Sequence, residues 1–392
     1  MAGAISSRRS DRRRGALERP PPRALAVSAS SLGRRDEPGD LRASFLEDAL
    51  GSARMTSSLG WLRRRWAAKS AILMYHRVAD PAGESDPWGL CVSPAHFAEQ
   101  LAVLRECGTP LTLPALARSH ERGEVPQGGV VLTFDDGYAD NLHVAKPLLA
   151  RHDVPATVFV TSGHVATEDE LWWDELERLL LVPLRLPATL DLAIAGGMRH
   201  WDLGRAAVYA DDDRRRDRGR RAWEGAPGSR HALYYAVWSL LLPLAARERR
   251  DVLDAIASWA GEPRRPRATH RVVRADELVE LARGGLVDIG SHTVTHAMFP
   301  AQSAAAQAHE LAESKAALEA ILGAPITTFA YPHGERAPES PGLVRDAGFA
   351  CACTVVAEPV WKGSGRYELP RFAVEDWGGD EFARRLTRWL QA

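Results

Sequence analysis

The sequence contains few cysteines, and their arrangement fits neither a disulfide framework nor a redox motif. The 392 residues include four cysteines, which are Cys91, Cys107, Cys351 and Cys353. Cys351 and Cys353 are separated by one residue, whereas thioredoxin-like and zinc-knuckle motifs place two residues between their cysteines. A protein stabilised by disulfides also has a higher density of cysteine. We therefore predict that all four cysteines are buried thiols.

The sequence also lacks a long apolar run and an excess of charge of either sign. Its longest apolar segment, residues 237–246, is interrupted by Pro243 and is shorter than the roughly 20 residues that a membrane-spanning helix needs. A transmembrane segment is therefore not predicted. The 50 basic and 51 acidic residues give a formal net charge of -1. Because this balance offers no general attraction for a polyanion, we expect no nucleic-acid partner.

The first 54 residues are rich in arginine, serine, proline and alanine, and they contain no apolar core of a secretory signal. This composition predicts a disordered segment. The alternatives are a transit peptide, a basic arm for an anionic surface, or translation that begins at Met55. Because no secretory signal is evident, we expect a cytoplasmic protein, with peripheral contact at the inner membrane as a second option. The sequence indicates no oligomeric state.

From residue 70 onwards, short apolar runs alternate with amphipathic segments, which is the pattern of parallel strands joined by crossover helices. The predicted strands are residues 71–75, 130–134, 156–160, 286–290, 327–331, 349–354 and 368–374. The main predicted helices are residues 142–152, 303–322 and 380–390. The predicted class is α/β, and about seven parallel strands favour a distorted (β/α) barrel over an open sheet.

A long insert interrupts this alternation between residues 162 and 271 and contains a Trp-Trp pair, a charged run at 211–221 and an aromatic helix at 231–242. Compact domains rarely contain a structureless loop of this length, so we predict a helical lid or cap. Trp172 and Trp173 either form a sugar-binding wall, because aromatic rings stack on pyranose rings, or pack in the core below the insert. The charged run is predicted to be a solvated hinge.

Two adjacent carboxylates follow the second predicted strand, in the sequence Thr-Phe-Asp-Asp-Gly at 133–137. Barrel enzymes hold their catalytic groups at the carboxyl ends of strands. Like charges a few ångströms apart raise each other's pKa, so such a pair persists most easily when a cation neutralises one carboxylate and the other has a separate role. A simple turn is the alternative interpretation of Asp135 and Asp136.

Two histidines follow another predicted strand, in the sequence Ser-His-Thr-Val-Thr-His at 291–296. Side chains at positions i and i+4 of a helical turn share a face, so His292 and His296 can reach one ion. Chance or a capped turn is the alternative. With one aspartate, these histidines form a two-His-one-carboxylate set that leaves coordination positions open for water and substrate. A structural zinc site usually has four protein ligands, so the joint pattern favours a catalytic metal site.

These motifs resemble those of the polysaccharide deacetylases of carbohydrate esterase family 4, the NodB-homology group, over residues 70–377. The resemblance implies that Asp135 is the general base and that Asp136, His292 and His296 bind a divalent metal, with zinc expected and nickel, cobalt or iron as alternatives. It implies a hydrolase that removes the acetyl group from an N-acetylated amino sugar of a poly- or oligosaccharide. Deformylation of a glycan precursor, O-acetyl ester hydrolysis and non-catalytic sugar binding remain open alternatives.

Further motifs resemble the poly-N-acetylglucosamine deacetylase branch of that family. Leu-Met-Tyr-His-Arg-Val at 73–78 resembles the opening motif of this branch, which implies that His76 is the general acid. Phe-Ala-Tyr-Pro-His-Gly at 329–334 resembles the third family motif, which implies that the backbone N–H of Tyr331 contributes to an oxyanion hole. The motif departs from the family's Arg-x-Pro-Tyr form, and Arg371 is the expected replacement for orienting the base. The alternative for His76 and Tyr331 is a role in core packing. The alternative for Arg371 is a surface salt bridge.

Overall fold

The computed structural model describes residues 68–80, 85–262 and 265–391. The strands of these residues are β1 Ser70–Tyr75, β2 Arg77–Val78, β3 Cys91–Val92, β4 Thr109–Leu111, β5 Gly129–Phe134, β6 Ala156–Val160, β7 Thr189–Ile194, β8 Gly197–Asp202, β9 Val287–Ser291, β10 Thr328–Ala330, β11 Cys351–Cys353 and β12 Phe372–Ala373. The α-helices are α1 Pro94–Cys107, α2 Leu113–Glu121, α3 Lys146–His152, α4 Trp172–Leu181, α5 Asp211–Asp217, α6 Arg230–Leu241, α7 Ala246–Ala260, α8 Ala275–Ala282, α9 Ala304–Leu322, α10 Ser340–Asp346 and α11 Gly379–Gln391. The predicted disordered segment, residues 1–54, lies outside these ranges.

The central sheet of the described chain has the strand order β11-β10-β9-β6-β5-β1-β12, with β4 also paired to β5. Every pairing in this sheet is parallel. Beyond β11, the N–H of Leu369 donates to the carbonyl of Ala352 at 2.8 Å, and the N–H of Thr354 donates to the carbonyl of Leu369 at 2.9 Å. These bonds connect β11 to the segment that enters β12. The predicted distorted (β/α) barrel of about seven parallel strands is confirmed.

The strands that carry the site are buried because helices cover the sheet. All six residues of β1 and all six of β5 are buried, which explains their continuous apolar sequences. Local signals fix the helices between strands. Ser93 caps α1, with Pro94 in its first turn, and Ser303 caps α9, which ends at Gly323 with φ 63°. A glycine is favoured there because this left-handed conformation is strained for other residues.

The insert contains helices α4 to α7, as predicted, and also an antiparallel hairpin of β7 and β8 that the prediction of a helical insert missed. Leu190, Leu192 and Ile194 are buried and alternate with exposed residues, which is the period of a half-buried strand. The turn residues Ala195 and Gly196 both have positive φ, 52° and 77°, as a two-residue hairpin turn requires.

The structure also bears on the cysteines, the charged run and the possibility of a membrane-spanning helix. Cys91, Cys351 and Cys353 are buried, but Cys107 is exposed at the end of α1, so the prediction for that cysteine is wrong. The charged run begins as helix α5, and within it Asp217 is buried and accepts a hydrogen bond from the Tyr209 hydroxyl at 3.1 Å. It is therefore more than a solvated hinge. None of the described helices is both long and apolar enough to cross a lipid bilayer.

Candidate metal centre and active-site cavity

Asp136, His292 and His296 meet at the carboxyl edge of the sheet. Asp136 follows β5 and the histidines follow β9, with β6 between the two strands. The Oδ1 atom of Asp136 lies 3.5 Å from Nε2 of His292 and 3.3 Å from Nε2 of His296. One candidate ligand atom from each residue lies within 4.8 Å of the others, and all three residues are buried. The predicted ligand set is therefore brought together in space.

The chemistry of these atoms fits a divalent cation. Asp136 Oδ1 is buried and has no hydrogen-bond partner among the described residues, an arrangement that is costly for a carboxylate oxygen. Burial raises the pKa of Asp136 above its usual value. Nδ1–H of His292 donates to the carbonyl of Ala330 at 2.8 Å, which leaves the Nε2 lone pair directed to the centre. A cation between these three groups would satisfy all of them.

The two histidines converge through an irregular turn and not through the helical turn that the i, i+4 spacing predicted. Residues 292–296 contain no helix, and Thr293 and His296 have positive φ, 66° and 53°. Asp136 is also left-handed, with φ 74°. Such conformations cost about 1–3 kcal/mol each for residues other than glycine and persist where the surrounding structure enforces them. Their concentration at one edge of the sheet makes this edge the candidate functional site.

Asp135 is paired with Arg371, as the sequence predicted. Nη1 and Nη2 of Arg371 donate to Oδ1 and Oδ2 of Asp135 at 2.7 and 2.8 Å. Nη1 also donates to the Thr133 hydroxyl at 3.1 Å and Nε donates to the Thr354 carbonyl at 2.9 Å. Burial alone would raise the pKa of Asp135, but the Arg371 guanidinium holds that pKa well below its usual range. Asp135 therefore remains ionised at neutral pH, and Arg371 is fully buried, unlike a surface salt bridge.

A cavity of about 390 Å³ opens onto the three candidate ligands. Asp135 and His76 line it beside them, and His76 is half-buried at the end of β1. Much of the remaining lining is aromatic and is formed by Trp88, Trp173, Trp223, Tyr235 and Trp238. The Trp173 and His296 ring centroids lie 4.5 Å apart. Both residues of the Trp-Trp pair are buried, but only Trp173 lines the cavity, and Trp172 stacks on Trp238 with ring centroids 5.9 Å apart.

Tyr331 lies outside the cavity lining, and its backbone N–H has another partner. This N–H donates to the carbonyl of Cys353 at 3.1 Å, which extends the pairing of β10 and β11 by one residue. The Tyr331 hydroxyl donates to the carbonyl of Tyr367 at 3.1 Å. The implied oxyanion-hole donor is therefore occupied in this structure. The third motif contributes through the Ala330 carbonyl instead, which orients His292.

Several residues of the site were not assigned to it by sequence reasoning. Four aromatic residues from the insert and from the segment before β3 line the same cavity as the ligands, which only the structure shows: Trp88, Trp223, Tyr235 and Trp238. The unusual number of tryptophans, 12 in the chain, is the signal that was present. His333 has φ 58° and packs edge-on against His296, with ring centroids 4.5 Å apart.

Comparisons with known proteins indicate a family for this chain. Residues 122–182 and 254–352 match the polysaccharide deacetylase family model. The Bacillus subtilis protein YxkH, whose name describes it as a polysaccharide deacetylase, is 27% identical to this chain over 122 residues. The alignment covers 30% of this chain and 41% of YxkH. The alignment therefore spans about two fifths of that curated relative.

A solved structure with low sequence identity to this chain has the same fold. The Streptococcus pyogenes deacetylase PplD, solved in complex with acetate, has a TM-score of 0.51 and 17% identity, covering 83% of this chain and 99% of that one. The Bacillus cereus polysaccharide deacetylase BC0361 has a TM-score of 0.49 and 18% identity, covering 82% and 70%.

The family match includes both segments that carry the candidate metal centre. Its first part contains Asp135 and Asp136, and its second part contains His292 and His296. The unmatched residues between the two parts, 183–253, fall within the insert and supply Trp223, Tyr235 and Trp238. The chain belongs to the polysaccharide deacetylase family, and part of its insert beside the site lies outside the family match.

Proposed function

We propose that this protein is a metal-dependent hydrolase that removes the acetyl group from an N-acetylated amino sugar in a poly- or oligosaccharide and releases acetate. The observation that carries the proposal is that two adjacent aspartates in one cavity have different partners. Asp136 faces two imidazoles, as a metal ligand should, while its neighbour Asp135 is held ionised by Arg371. This division of roles matches hydrolysis by an activated water.

Asp136, His292 and His296 would hold the metal, for which zinc is our first choice and nickel, cobalt and iron are the alternatives. A bound divalent metal supplies Lewis acidity and lowers the pKa of water from about 15.7 to about 7. Asp135 accepts the proton of the attacking water, because its carboxylate is kept ionised in a buried position. Arg371 fixes the direction of that carboxylate through two parallel hydrogen bonds.

His76 is the proposed proton donor to the departing amine. It lines the same cavity as Asp135 and lies on the strand next to β5, because β1 and β5 pair with Tyr75 opposite Phe134. Water adds to the acyl carbon, the C–N bond breaks, and the amine nitrogen takes a proton as acetate leaves. Since the Tyr331 N–H is occupied, we assign Tyr331 no contact with the acyl oxygen.

The aromatic side of the cavity suits a sugar substrate. Pyranose rings present C–H faces that pack on aromatic rings, and Trp88 and Trp238 lie with ring centroids 4.3 Å apart at this side. The opening motif at 73–78 supports a substrate of the poly-N-acetylglucosamine type, such as an exopolysaccharide. The acetate complex named for PplD is consistent with acetate as the leaving acid in the family.

Acetate release from N-acetylglucosamine oligomers tests the proposal. We expect release by the purified protein, loss after treatment with a chelator, and recovery on addition of zinc. A panel containing N-formylated and O-acetylated saccharides distinguishes a deformylase or an ester hydrolase from a deacetylase. Binding of the oligomers without any release of acid would instead show a non-catalytic sugar-binding protein and would refute the proposal.

A further inference from the structure

The turn that carries two of the proposed metal ligands does not hold its shape by its own sequence. Residues 292–296 lie between β9 and α9 and form no helix. Thr293 and His296 both have left-handed backbone conformations, φ 66° and 53°, which side chains other than glycine rarely adopt. The conformation of this turn must therefore be imposed by its neighbours.

One carboxylate, that of Glu310 on α9, binds the turn at three points. The backbone N–H groups of Val294 and Thr295 donate to Oε2 of Glu310 at 2.8 and 3.0 Å. The hydroxyl of Thr295 donates to Oε1 at 2.7 Å. Hydrogen bonds to an ionised acceptor are stronger than those between neutral groups. Glu310 thus replaces the partners that a helix would have given these two amides.

The carbonyl groups of the same peptides are bound from the opposite side. The N–H groups of Ser162 and Gly163 donate to the carbonyls of Thr293 and Val294, each at 3.0 Å. Each of these two peptide planes is therefore fixed at both ends, by Glu310 at its N–H and by the segment after β6 at its carbonyl. A Cβ atom on Gly163 would lie 2.5 Å from the Val294 oxygen, which explains the glycine.

A third contact connects the turn to the insert. Nη2 of Arg249, on α7, donates to the carbonyl of Thr295 at 2.9 Å. This carbonyl belongs to the peptide bond that leads directly into His296. Arg249 is buried, and its guanidinium carbon lies over the Trp172 ring, 5.2 Å from the ring centroid. Glu310 and Arg249 therefore hold the Thr295 residue between them, one at its N–H and hydroxyl and one at its carbonyl.

We infer that Glu310 is a positioning residue for the metal centre, which sets the affinity for the metal without contacting it. The inference rests on the proposed function, because it requires that His292 and His296 bind a metal. Supporting partners of metal ligands typically contribute 10- to 100-fold in metal affinity. Here the support acts on the backbone between the two ligands, so its loss frees His296 to leave the position in which it faces Asp136.

The test is the dissociation constant for zinc of metal-stripped protein, measured by competition with a chromophoric chelator. We expect Glu310→Ala to weaken zinc binding roughly 10- to 100-fold. Glu310→Gln retains one acceptor but not the charge, and we expect a loss of roughly 10-fold. The matched control is Glu313→Ala, which changes an exposed glutamate of the same helix and should leave the constant unchanged.

The unfolding temperature of the metal-free forms separates positioning from general stability. The inference is supported if a Glu310 variant unfolds at the same temperature as the wild type but binds zinc more weakly. Should Glu310→Ala fail to fold, the near-isosteric Glu310→Gln variant decides the question in its place. A folded variant that binds zinc as tightly as the wild type overturns the inference alone. A wild-type protein that binds no divalent metal removes the proposed function, and this inference with it.

Discussion

Asp135 and Asp136 are adjacent in the chain, yet their side chains have different partners. Asp135 receives two hydrogen bonds from Arg371, and its pKa is well below the usual range despite its burial. Asp136 faces two imidazoles, and burial raises its pKa. Environments that shift two neighbouring pKa values in opposite directions are typical of an acid–base pair with divided roles.

This division predicts different losses on mutation. His292→Ala or His296→Ala should remove most bound metal and nearly all activity, because each deletes one of three ligands. Asp135→Asn should retain the metal and lose turnover by a factor of ~10² to 10⁴, because it removes only the proton acceptor. Metal analysis of the purified variants, beside acetate release, checks both. An equal loss of metal in Asp135→Asn would show that the two aspartates have been exchanged.

The Arg371 pair gives a prediction about pH. Because Arg371 lowers the pKa of Asp135 against the effect of burial, its removal should raise that pKa. The acid limb of the pH profile of kcat/KM should therefore move to higher pH in Arg371→Ala. Arg371→Lys retains the charge without the two parallel bonds, so its acid limb should move less. A profile that keeps its acid limb in Arg371→Ala would assign that limb to another group.

His76 is the proposed proton donor, and the leaving group tests it. His76→Ala should lower kcat on an N-acetyl amide by ~10² to 10⁴ and leave metal content unchanged. An activated aryl acetate needs no proton on its leaving group, so the variant should retain much of its activity on that ester. Equal losses on both substrates, or full activity on the amide, would place the acid elsewhere, with His333 as the next residue to change.

At the scale of elements, the sequence predicted best those features that depend on a single strand or helix. Residues 156–160 were predicted as a strand and form β6, and residues 303–322 were predicted as the helix that forms α9. Buried parallel strands read as continuous apolar runs, which makes them visible in a single sequence. The pairing of Asp135 with Arg371 was also expected, because the family resemblance implies a residue that orients the base and Arg371 was the expected replacement.

Features that depend on how distant segments meet could not be read from the sequence. The Tyr331 N–H is occupied because β10 pairs with β11 in a register that continues one residue further. The wall of the cavity combines Trp88 with Trp238, which are far apart in the chain. The contacts between Glu310 and the turn also depend on tertiary structure, because the N–H groups of Val294 and Thr295 have their partner on the following helix.

The aromatic wall of the insert predicts an effect on substrate binding. Trp238→Ala should raise KM for N-acetylglucosamine oligomers roughly tenfold, with a smaller change in kcat, because it removes one stacking surface. Trp201→Ala is the control, since Trp201 lies on the hairpin strand β8 and outside the cavity lining. Metal content should be unchanged in both. Loss of folding in Trp238→Ala would indicate that this tryptophan serves mainly to pack the insert.

At the scale of the whole molecule, the barrel brings the first and last strands of the described chain together. β1 pairs with β12, with Leu73 opposite Phe372, and it also pairs with β5, with Tyr75 opposite Phe134. His76 and Arg371 therefore reach the same edge as Asp135 and Asp136. The N–H of Asp135 donates to the carbonyl of Tyr75 at 2.9 Å, which continues the β1–β5 ladder into the site. The site is consequently a property of barrel closure and not of one motif.

A metal that joins β5 to the turn after β9 should stabilise the barrel as a whole. A ligand that binds only the folded state contributes about 2.7 kcal/mol at 100 times its dissociation constant. For a domain of this size, we expect zinc to raise Tm by about 5 °C or more over the metal-free protein. Thermal unfolding with zinc and with a chelator measures the difference. His296→Ala should unfold at the same temperature under both conditions, because it lacks one ligand. If the wild type shows no such shift while zinc is bound in stoichiometric amount, zinc must bind the unfolded chain about as tightly as the folded protein, and the prediction is wrong.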